Sequence, residues 1–345
     1  MNASAHNLFS PERLAQADSL LAGGVADRLY THAAYALMRR GELLASQAFG
    51  AAEKVFDLAS LTKPLATGTC LLQLVEDGKL HLRQSVHRFF EDEYGPLPHL
   101  SGMEVRHLLT HTSGLPPIPR WPEVSANATR KEMIRAVLAT PTLRPPGTGY
   151  TYSDTGYILL GEIVARVAEQ SLDTLFSSRV ASPLNLSTLG YNPKSNSDIV
   201  PTGPEPPGTV HDPRARELGG VAGHAGLFGT AMDVVSCAET MRTGGGAILS
   251  RAAVGRMAES QIEPSVGAHS YGWFCAGNDY LPQGDLFSDR SFGHSGFTGT
   301  AILIDPVFEV SLVLLTNRVV NQIQDGSRFL GLRRLWLNTV AASLK

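Results

Sequence analysis

The sequence predicts an α+β fold, in which an antiparallel β-sheet is flanked by N- and C-terminal helices and carries a large, mainly helical inserted lobe. Two observations predict it. β-Compatible runs stand near both ends of the chain, and the section between them is rich in helical stretches separated by Pro and Gly loops. Such a segregated order is typical of α+β domains. We expect a single domain over residues 1–345, with an α/β lobe at approximately 1–56 and 255–345 and a helical lobe at approximately 57–254.

The chain begins with a predicted helix over residues 10–24. Ser10 followed by Pro11 is typical of an N-cap with proline at the first helical position, and Leu14 and Leu21 then recur at helical spacing. This helix is expected to flank the sheet.

A β-hairpin and a second helix follow. Residues 32–38 and 43–49 are β-compatible runs joined by a short polar segment in which Gly41 can supply a positive φ. From Ser60 the pattern becomes helical and ends near Gly78. Ser60 is therefore expected at the N-terminus of a helix.

Strands return near the end of the chain. Residues 271–276, 300–304 and 309–316 are apolar and β-compatible, and residues 328–343 place their large apolar side chains on one helical face. We expect these strands to complete the sheet and the last helix to cover it. A cleft between the sheet and the helical lobe is the natural place for a site.

Composition and charge exclude several classes of protein. The 345 residues are 43% hydrophobic and can bury a large core, while a formal net charge of −3 gives no broad positive field for a nucleic acid. Cys70, Cys237 and Cys275 lie far apart without CxxC spacing, so neither a zinc knuckle nor a disulfide framework is predicted. We expect a small molecule or a short peptide as the partner, and the oligomeric state stays open.

No membrane or export segment is predicted. Eighteen apolar residues never run together, and the first thirty residues carry charges in every short apolar run, unlike a signal peptide. The expectation is a cytoplasmic protein, or a periplasmic one if the sequence is trimmed.

Ser60 and Lys63 carry the first candidate chemistry. Three residues apart on a helix, they share a face, so the Lys63 nitrogen can lie beside the Ser60 hydroxyl. Serine needs a nearby base and a site for the developing oxyanion, and a helix N-terminus offers N–H groups and a positive dipole end. Alone, the spacing is equally compatible with a capping serine and a solvated lysine.

The surrounding segment strengthens the assignment. Residues 56–64 (FDLASLTKP) resemble the nucleophile segment of class C β-lactamases, serine D-Ala-D-Ala peptidases and related esterases. The resemblance runs from about residue 31 to about residue 320. It implies a two-step mechanism in which Ser60 attacks a carbonyl, an acyl-enzyme forms, and water or another acceptor resolves it. The mechanism requires no cofactor.

Tyr152, Ser153 and Asp154 match the Tyr-x-Asn element of these enzymes, with Asp in place of Asn. The resemblance implies that Tyr152 lies near Ser60 as general base or as proton donor to the leaving group, with Lys63 lowering its pKa. Asp154 would disfavour an anionic ligand unless it is paired with Lys63. The alternative is an ordinary tyrosine at a capped helix entry.

His294, Ser295, Gly296 and Phe297 occupy the place of the Lys-Thr-Gly strand motif, with His in place of Lys. This variant resembles that of some D-Ala-D-Ala peptidases, D-aminopeptidases and esterases. It implies that Gly296 lets the substrate backbone approach, and that the Phe297 N–H joins that of Ser60 in an oxyanion hole. The alternative is a structural turn histidine at position 294.

Three further histidines invite a different interpretation. His111 and His224 lie in stretches that also look familiar for this family, but neither has a second ligand at HxxxH or HExxH spacing, so loop-ordering roles are expected and no metal site is predicted. His211 and Asp212 are expected in a loop near the cleft.

The resulting prediction is a serine hydrolase that acts on an ester or amide, as an esterase or as a D-Ala-D-Ala carboxypeptidase or D-aminopeptidase. A β-lactamase is the alternative within the family, and it is placed second because it needs a cation for the β-lactam carboxylate, which His294 provides less well than Lys. A catalytically inactive binding protein of the same fold is the third possibility.

Overall fold

The structure is a computed structural model that describes residues 8–50, 52, 54–121, 128–194, 198–321 and 326–345. Its strands are β1 Ala33–Arg39, β2 Glu42–Phe49, β3 Phe56–Asp57, β4 Gly190–Tyr191, β5 Leu227–Gly229, β6 Phe274–Cys275, β7 Phe292–Ser295, β8 Ala301–Asp305 and β9 Val310–Thr316. The main sheet has six strands in the order β2-β1-β9-β8-β7-β6, and a small sheet has the order β3-β5-β4. All pairs are antiparallel.

The main sheet joins the two ends of the chain. β1 pairs with β9 from Ala33 opposite Thr316 to Arg39 opposite Val310, and all seven residues of β9 are buried. The predicted hairpin forms because Gly41 turns at a φ of 84° between β1 and β2. The predicted α+β fold, with its antiparallel sheet, is therefore confirmed.

The helices are α1 Pro11–Ala26, α2 Thr69–Glu76, α3 Glu91–Tyr94, α4 Val105–Leu109, α5 Arg130–Leu138, α6 Asp154–Ala168, α7 Leu172–Phe176, α8 Pro213–Glu217, α9 Ala231–Arg242, α10 Arg251–Ala258 and α11 Ser327–Ser343. The terminal helices α1 and α11 pack on each other and share a core with the sheet, in which Leu21 and Trp336 lie with Leu312. Both terminal helices match the prediction, whereas the lobe boundaries stay a prediction. No helix among the described residues is long and apolar enough to cross a membrane.

The segment that begins at Ser60 differs from the regular helix that was predicted. A 3₁₀ turn, Ala59–Leu61, leads into a π-helical stretch, Lys63–Gly68, before α2 begins. Pro64 has no N–H to donate within this stretch, and its carbonyl instead accepts the Thr69 hydroxyl at 2.9 Å. Every residue from 61 to 74 is buried, so the segment is a core helix rather than an amphipathic one.

The predicted strand over residues 271–276 is also shorter than expected. Only Phe274–Cys275 form β6, because Gly272 has a φ of 100° and its N–H donates to the Ser270 carbonyl, which turns the chain just before the strand. β6 pairs with Phe292 and Gly293 alone, so the last part of β7 extends beyond it. The last residues of β7 therefore have no neighbouring strand on the β6 side, and the cleft lies at this end of the strand.

Candidate active site

Ser60 follows a backbone that is held in an unusual conformation. Ala59 has a φ of 49°, in the left-handed region, and its N–H donates to Asp57 Oδ1 at 2.8 Å. Asp57 Oδ2 accepts the His211 N–H at 2.7 Å. Burial raises the pKa of Asp57 to about 6, against the two backbone donors that favour its charged form. Asp57 therefore fixes Ala59 and ties the loop at His211 to the segment of Ser60.

Lys63 is fully buried directly behind Ser60. Its Nζ donates to Ser60 Oγ at 2.9 Å and to the His224 carbonyl at 3.2 Å, and it lies 2.7 Å from Asp154 Oδ1. The same nitrogen lies 4.8 Å from the centroid of the Tyr152 ring. A buried ammonium is stable only when it is paired and hydrogen-bonded, and these contacts supply both conditions.

Tyr152 lies against the same serine. Its phenol and the Ser60 hydroxyl are hydrogen-bonded, but burial of the phenol and the nearby Asp154 carboxylate raise the pKa of Tyr152 well above its usual value. The expected lowering of this pKa by Lys63 was therefore wrong. Burial of the phenol and the negative charge of Asp154 raise the pKa of Tyr152. Asp154 also pairs with Lys63, and so it neutralises the positive charge that was expected to lower this pKa. In the resting site Tyr152 is a neutral phenol.

His111 holds the backbone on both sides of Tyr152. The Thr151 N–H donates to the His111 carbonyl at 2.9 Å, and the Ser153 N–H donates to His111 Nδ1 at 3.0 Å. The imidazole also packs on the phenol, with ring centroids 4.5 Å apart. Ser153 then caps α6 by accepting the Gly156 N–H. The predicted loop-ordering role of His111 agrees with these contacts.

His294 is buried and neutral in β7. Burial, the Lys63 charge and His269 hold the pKa of His294 well below its usual value. Its Nδ1 lies 2.9 Å from the Ser295 carbonyl, which can only accept, so Nδ1 carries the proton. The ring stacks on Phe274 with centroids 4.2 Å apart. His294 therefore lies behind the cleft surface and brings no positive charge to it.

The segment after β7 is clamped to the nucleophile segment. The hydroxyls of Thr298 and Thr300 donate to the Asp57 and Leu58 carbonyls at 2.9 and 3.0 Å. A Cβ at Gly296 would meet Thr300 Oγ1 at 2.1 Å, so this glycine is required for the close packing of the two segments. That requirement differs from the expected role in substrate approach.

Two N–H groups remain available beside this clamp. In the part of the chain that the structure describes, the N–H groups of Ser60 and Phe297 have no hydrogen-bond acceptor. Both residues line the same cleft, and the clamp fixes one segment against the other. This is the arrangement that an oxyanion hole needs.

Asp212 and His224 form a hydrogen-bonded pair beside Lys63. His224 Nε2 donates to Asp212 Oδ1 at 2.8 Å, and the same oxygen accepts the Ala215 N–H at the start of α8. Burial opposes ionisation of Asp212, but its hydrogen bond with His224, the backbone donor and the charge of Lys63 hold its pKa well below the usual range. Asp212 is therefore a carboxylate in the lining of the cleft, where His224 also lies.

The cleft that results has a volume of about 640 Å³. Its lining brings together most of the predicted site residues, namely Ser60, Tyr152, Asp154, Ser295, Gly296 and Phe297. Lys63 and His294 lie immediately behind this surface, both fully buried. Among the described residues, no group of three or more His, Cys, Asp or Glu side chains is arranged to hold a metal ion.

The sequence analysis did not find Asp57 or the pairing of Asp212 with His224. Asp212 followed by Pro213 has the signature of a helix start, so its capping role was readable. Its contact with His224 was not, because no local pattern encodes it. The hydrogen bond from His211 to Asp57 spans 154 positions of the sequence.

Comparison with known proteins agrees with this geometry. The family profile described as Beta-lactamase matches residues 17–330. A protein of Escherichia coli (strain K12) named "Putative D-alanyl-D-alanine carboxypeptidase" is 28% identical, with 92% of this chain and 85% of that protein covered.

Two solved structures share the fold. EstCE1, described as a hydrolase with promiscuous acyltransferase activity, superposes with a TM-score of 0.74 at 21% identity over 94% of this chain and 98% of its own. An octameric penicillin-binding protein homologue from Pyrococcus abyssi gives 0.72 at 21% identity over 88% and 73%. The profile covers nearly the whole chain, with Ser60, Tyr152 and His294 inside it, and the chain belongs to the Beta-lactamase family.

Proposed function

We propose that this protein is a serine hydrolase that uses Ser60 as its nucleophile and acts on esters or on D-Ala-type amides through an acyl-enzyme. The observation that carries the proposal is the contact of Ser60 Oγ with two proton-carrying groups, Lys63 Nζ at 2.9 Å and the Tyr152 phenol. A nucleophile within hydrogen-bond reach of groups that can move its proton is the signature of covalent catalysis.

In the first step Ser60 Oγ bonds to the substrate carbonyl carbon while its proton moves into the Lys63 and Tyr152 network. The carbonyl oxygen becomes an oxyanion, which the Ser60 and Phe297 N–H groups stabilise. The bond to the leaving oxygen or nitrogen then breaks, and that atom takes the proton from the network. Water repeats the sequence on the acyl-enzyme, releases the acid and restores the Ser60 hydroxyl.

The two candidate bases differ in what they need. Tyr152 as base must lose its proton in a site where burial and Asp154 oppose a phenolate. Lys63 as base must give up a proton while it is paired with Asp154. The step therefore starts from the form in which the pair of Tyr152 and Lys63 has lost one proton to solvent. In that form the Lys63 ammonium donates a hydrogen bond to the Tyr152 phenolate, the phenolate takes the Ser60 proton, and the resulting Tyr152 phenol is the donor to the leaving group.

Substrate class follows from the charges around Ser60. The Lys63 ammonium is paired with Asp154 and His294 is neutral, so the centre of the cleft offers little attraction to a β-lactam carboxylate. This favours a neutral ester over a β-lactam. The description of EstCE1 as a hydrolase supports the proposed hydrolysis of esters, and the name of the E. coli relative supports the carboxypeptidase activity. A cytoplasmic location stays a proposal, which cell fractionation tests.

The test compares three substrates with the wild type and Ser60→Ala: a 4-nitrophenyl ester, a peptide ending in D-Ala-D-Ala, and nitrocefin. We expect hydrolysis of the ester or the peptide that Ser60→Ala lowers by roughly 10³-fold or more. Ser295→Ala, which removes another hydroxyl of the same cleft, is the matched control. Fast nitrocefin hydrolysis with no ester or peptide turnover would make the protein a β-lactamase. No Ser60-dependent turnover of any of the three would make it a binding protein.

A further inference from the structure

A second cavity lies outside the active-site cleft and has a volume of about 350 Å³, which is enough for a small ligand. In the part of the chain that the structure describes, its lining shares no residue with the cleft around Ser60. The segment from His107 to Thr112 separates the two. Its ends, His107 and Thr112, line the cavity, whereas His111 between them packs on the Tyr152 phenol of the active site.

Three arginines from separate segments line this cavity, namely Arg83, Arg106 on α4 and Arg256 on α10. No carboxylate of the described residues lies within 4.0 Å of the Arg83 or Arg256 side chain. Arg106 donates from Nε to Glu104, and its two terminal nitrogens have no acceptor in the same part of the chain. The cavity therefore presents guanidinium donors that no described protein group uses.

His107 adds an uncharged donor to these cations. Its side chain is only 7% exposed, and burial together with the Arg106 charge holds the pKa of His107 below its usual value, so the imidazole is neutral. Nδ1 accepts the Glu104 N–H at 3.1 Å, so the ring proton is on Nε2, which has no acceptor among the described residues. A Cβ at Gly147 would lie 3.6 Å from Nε2, so the glycine leaves the space beside this N–H open.

An apolar wall completes the cavity. Leu82, Ile262 and Val266 supply aliphatic surface, and Tyr271 supplies an aromatic ring. Glu263 is the carboxylate of the described lining, but this residue is exposed, so solvent and salt screen its charge. The lining thus combines a cationic part with a part that suits a small organic group.

We propose that this cavity is a binding site for a phosphate monoester, which is a doubly charged anion with a small apolar group. A phosphate offers three oxygens to donors that approach from different directions, whereas one guanidinium fork can satisfy a carboxylate. Arg83, Arg106 and Arg256 provide such donors from three segments, and the His107 N–H provides another. A bound dianion also offsets the repulsion between the three like charges. The site does not depend on the proposed hydrolase function.

The test measures binding by isothermal titration calorimetry at about pH 7.5 in a buffer free of phosphate. Phenyl phosphate is the probe, and benzoate, which carries one carboxylate on the same ring, is the matched control ligand. Phenyl phosphate is a dianion at this pH, because the second pKa of a phosphate monoester is about 6. We expect it to bind with a Kd of about 1 mM or lower, and at least about tenfold more tightly than benzoate.

Arg83→Gln and Arg256→Gln should each weaken phenyl phosphate binding by roughly tenfold to a hundredfold, the range for a lost hydrogen bond to a charged group. Both change exposed side chains, and circular dichroism checks that the variants fold. Arg88→Gln is the matched control, since Arg88 is also exposed but is outside the cavity lining, and it should leave the Kd unchanged. Arg333→Gln should do the same, because Arg333 lines the cleft instead.

The outcomes decide whether the anion binds in this cavity. Weaker binding in Arg83→Gln and Arg256→Gln, with an unchanged Kd in Arg88→Gln and Arg333→Gln, is the result that the proposal predicts. No binding of phenyl phosphate up to about 10 mM, ten times the expected Kd, or an equal affinity for benzoate, would overturn it. Affinity that is lost in Arg333→Gln and kept in Arg83→Gln would place the anion in the cleft and would overturn it as well.

Discussion

The two walls of the cleft depart from the related motifs at different positions but with the same effect on charge. At the start of α6, Asp154 stands where an asparagine is usual, and it adds a negative charge that is paired with Lys63 at 2.7 Å. In β7, His294 stands where a lysine is usual, and it removes a positive charge because its imidazole is buried and neutral. Both changes lower the positive charge around Ser60. Positions 154 and 294 therefore both set the net charge around Ser60, where Lys63 is the central positive group.

The largest expected effect is on the α6 wall. Tyr152→Phe removes the phenol that is hydrogen-bonded to Ser60, and we expect kcat for a 4-nitrophenyl ester to fall by about 10²–10⁴-fold, the usual contribution of a general acid or base. Tyr150→Phe is the control, because Tyr150 lies in the same segment and its hydroxyl contacts Asn278 instead. A kcat near that of the wild type in Tyr152→Phe would make Lys63 the sole base.

The next effect tests the β7 wall. His294→Lys places an ammonium in a fully buried position close to Lys63, and we expect the free energy of unfolding in urea at pH 7 to fall by about 3 kcal/mol. His294→Gln, which keeps the position polar and uncharged, should cost less than about 1.5 kcal/mol. If the free energy of unfolding fell equally in the two variants, the positive charge of lysine would not be the reason why it is unfavourable at position 294.

The smallest expected effect is a shift in pH dependence. The Asp154 carboxylate helps to raise the pKa of Tyr152, so Asp154→Asn should lower that pKa and make the phenolate easier to form. The acid limb of the kcat/KM profile should then move to lower pH, by up to about one pH unit. Asp279→Asn, which changes another carboxylate of the cleft lining, should leave the limb in place. A shift to higher pH in Asp154→Asn would contradict this account of the α6 wall.

Local patterns predicted much of the fold. The Ser10 cap, the glycine turn at Gly41 and the apolar face of α11 are all signals within a few residues, and each element formed close to its predicted bounds. The helix after Ser60 was predicted as regular because hydrophobic periodicity does not distinguish an α-helix from a π-helical stretch in a wholly buried segment. Its proline at position 64 was the signal that the prediction did not use.

The candidate site was predictable only through the order of its motifs. The spacing of Ser60 and Lys63 predicted their contact, and the resemblance predicted Tyr152 beside them. The balance of charges was not predictable, because it depends on contacts between distant segments. Asp212 with His224 and His211 with Asp57 each join residues that no sequence period relates.

The most direct measurement asks whether Ser60 becomes acylated. Intact-protein mass spectrometry after reaction with a fluorophosphonate, or after rapid quenching with a 4-nitrophenyl ester, should show one added group in the wild type and in Ser295→Ala. Peptide mapping should place that group on Ser60, and Ser60→Ala should carry none. An adduct that persists in Ser60→Ala, or a wild type that turns over ester without any adduct on residues 59–64, would contradict the assignment of Ser60 as the nucleophile.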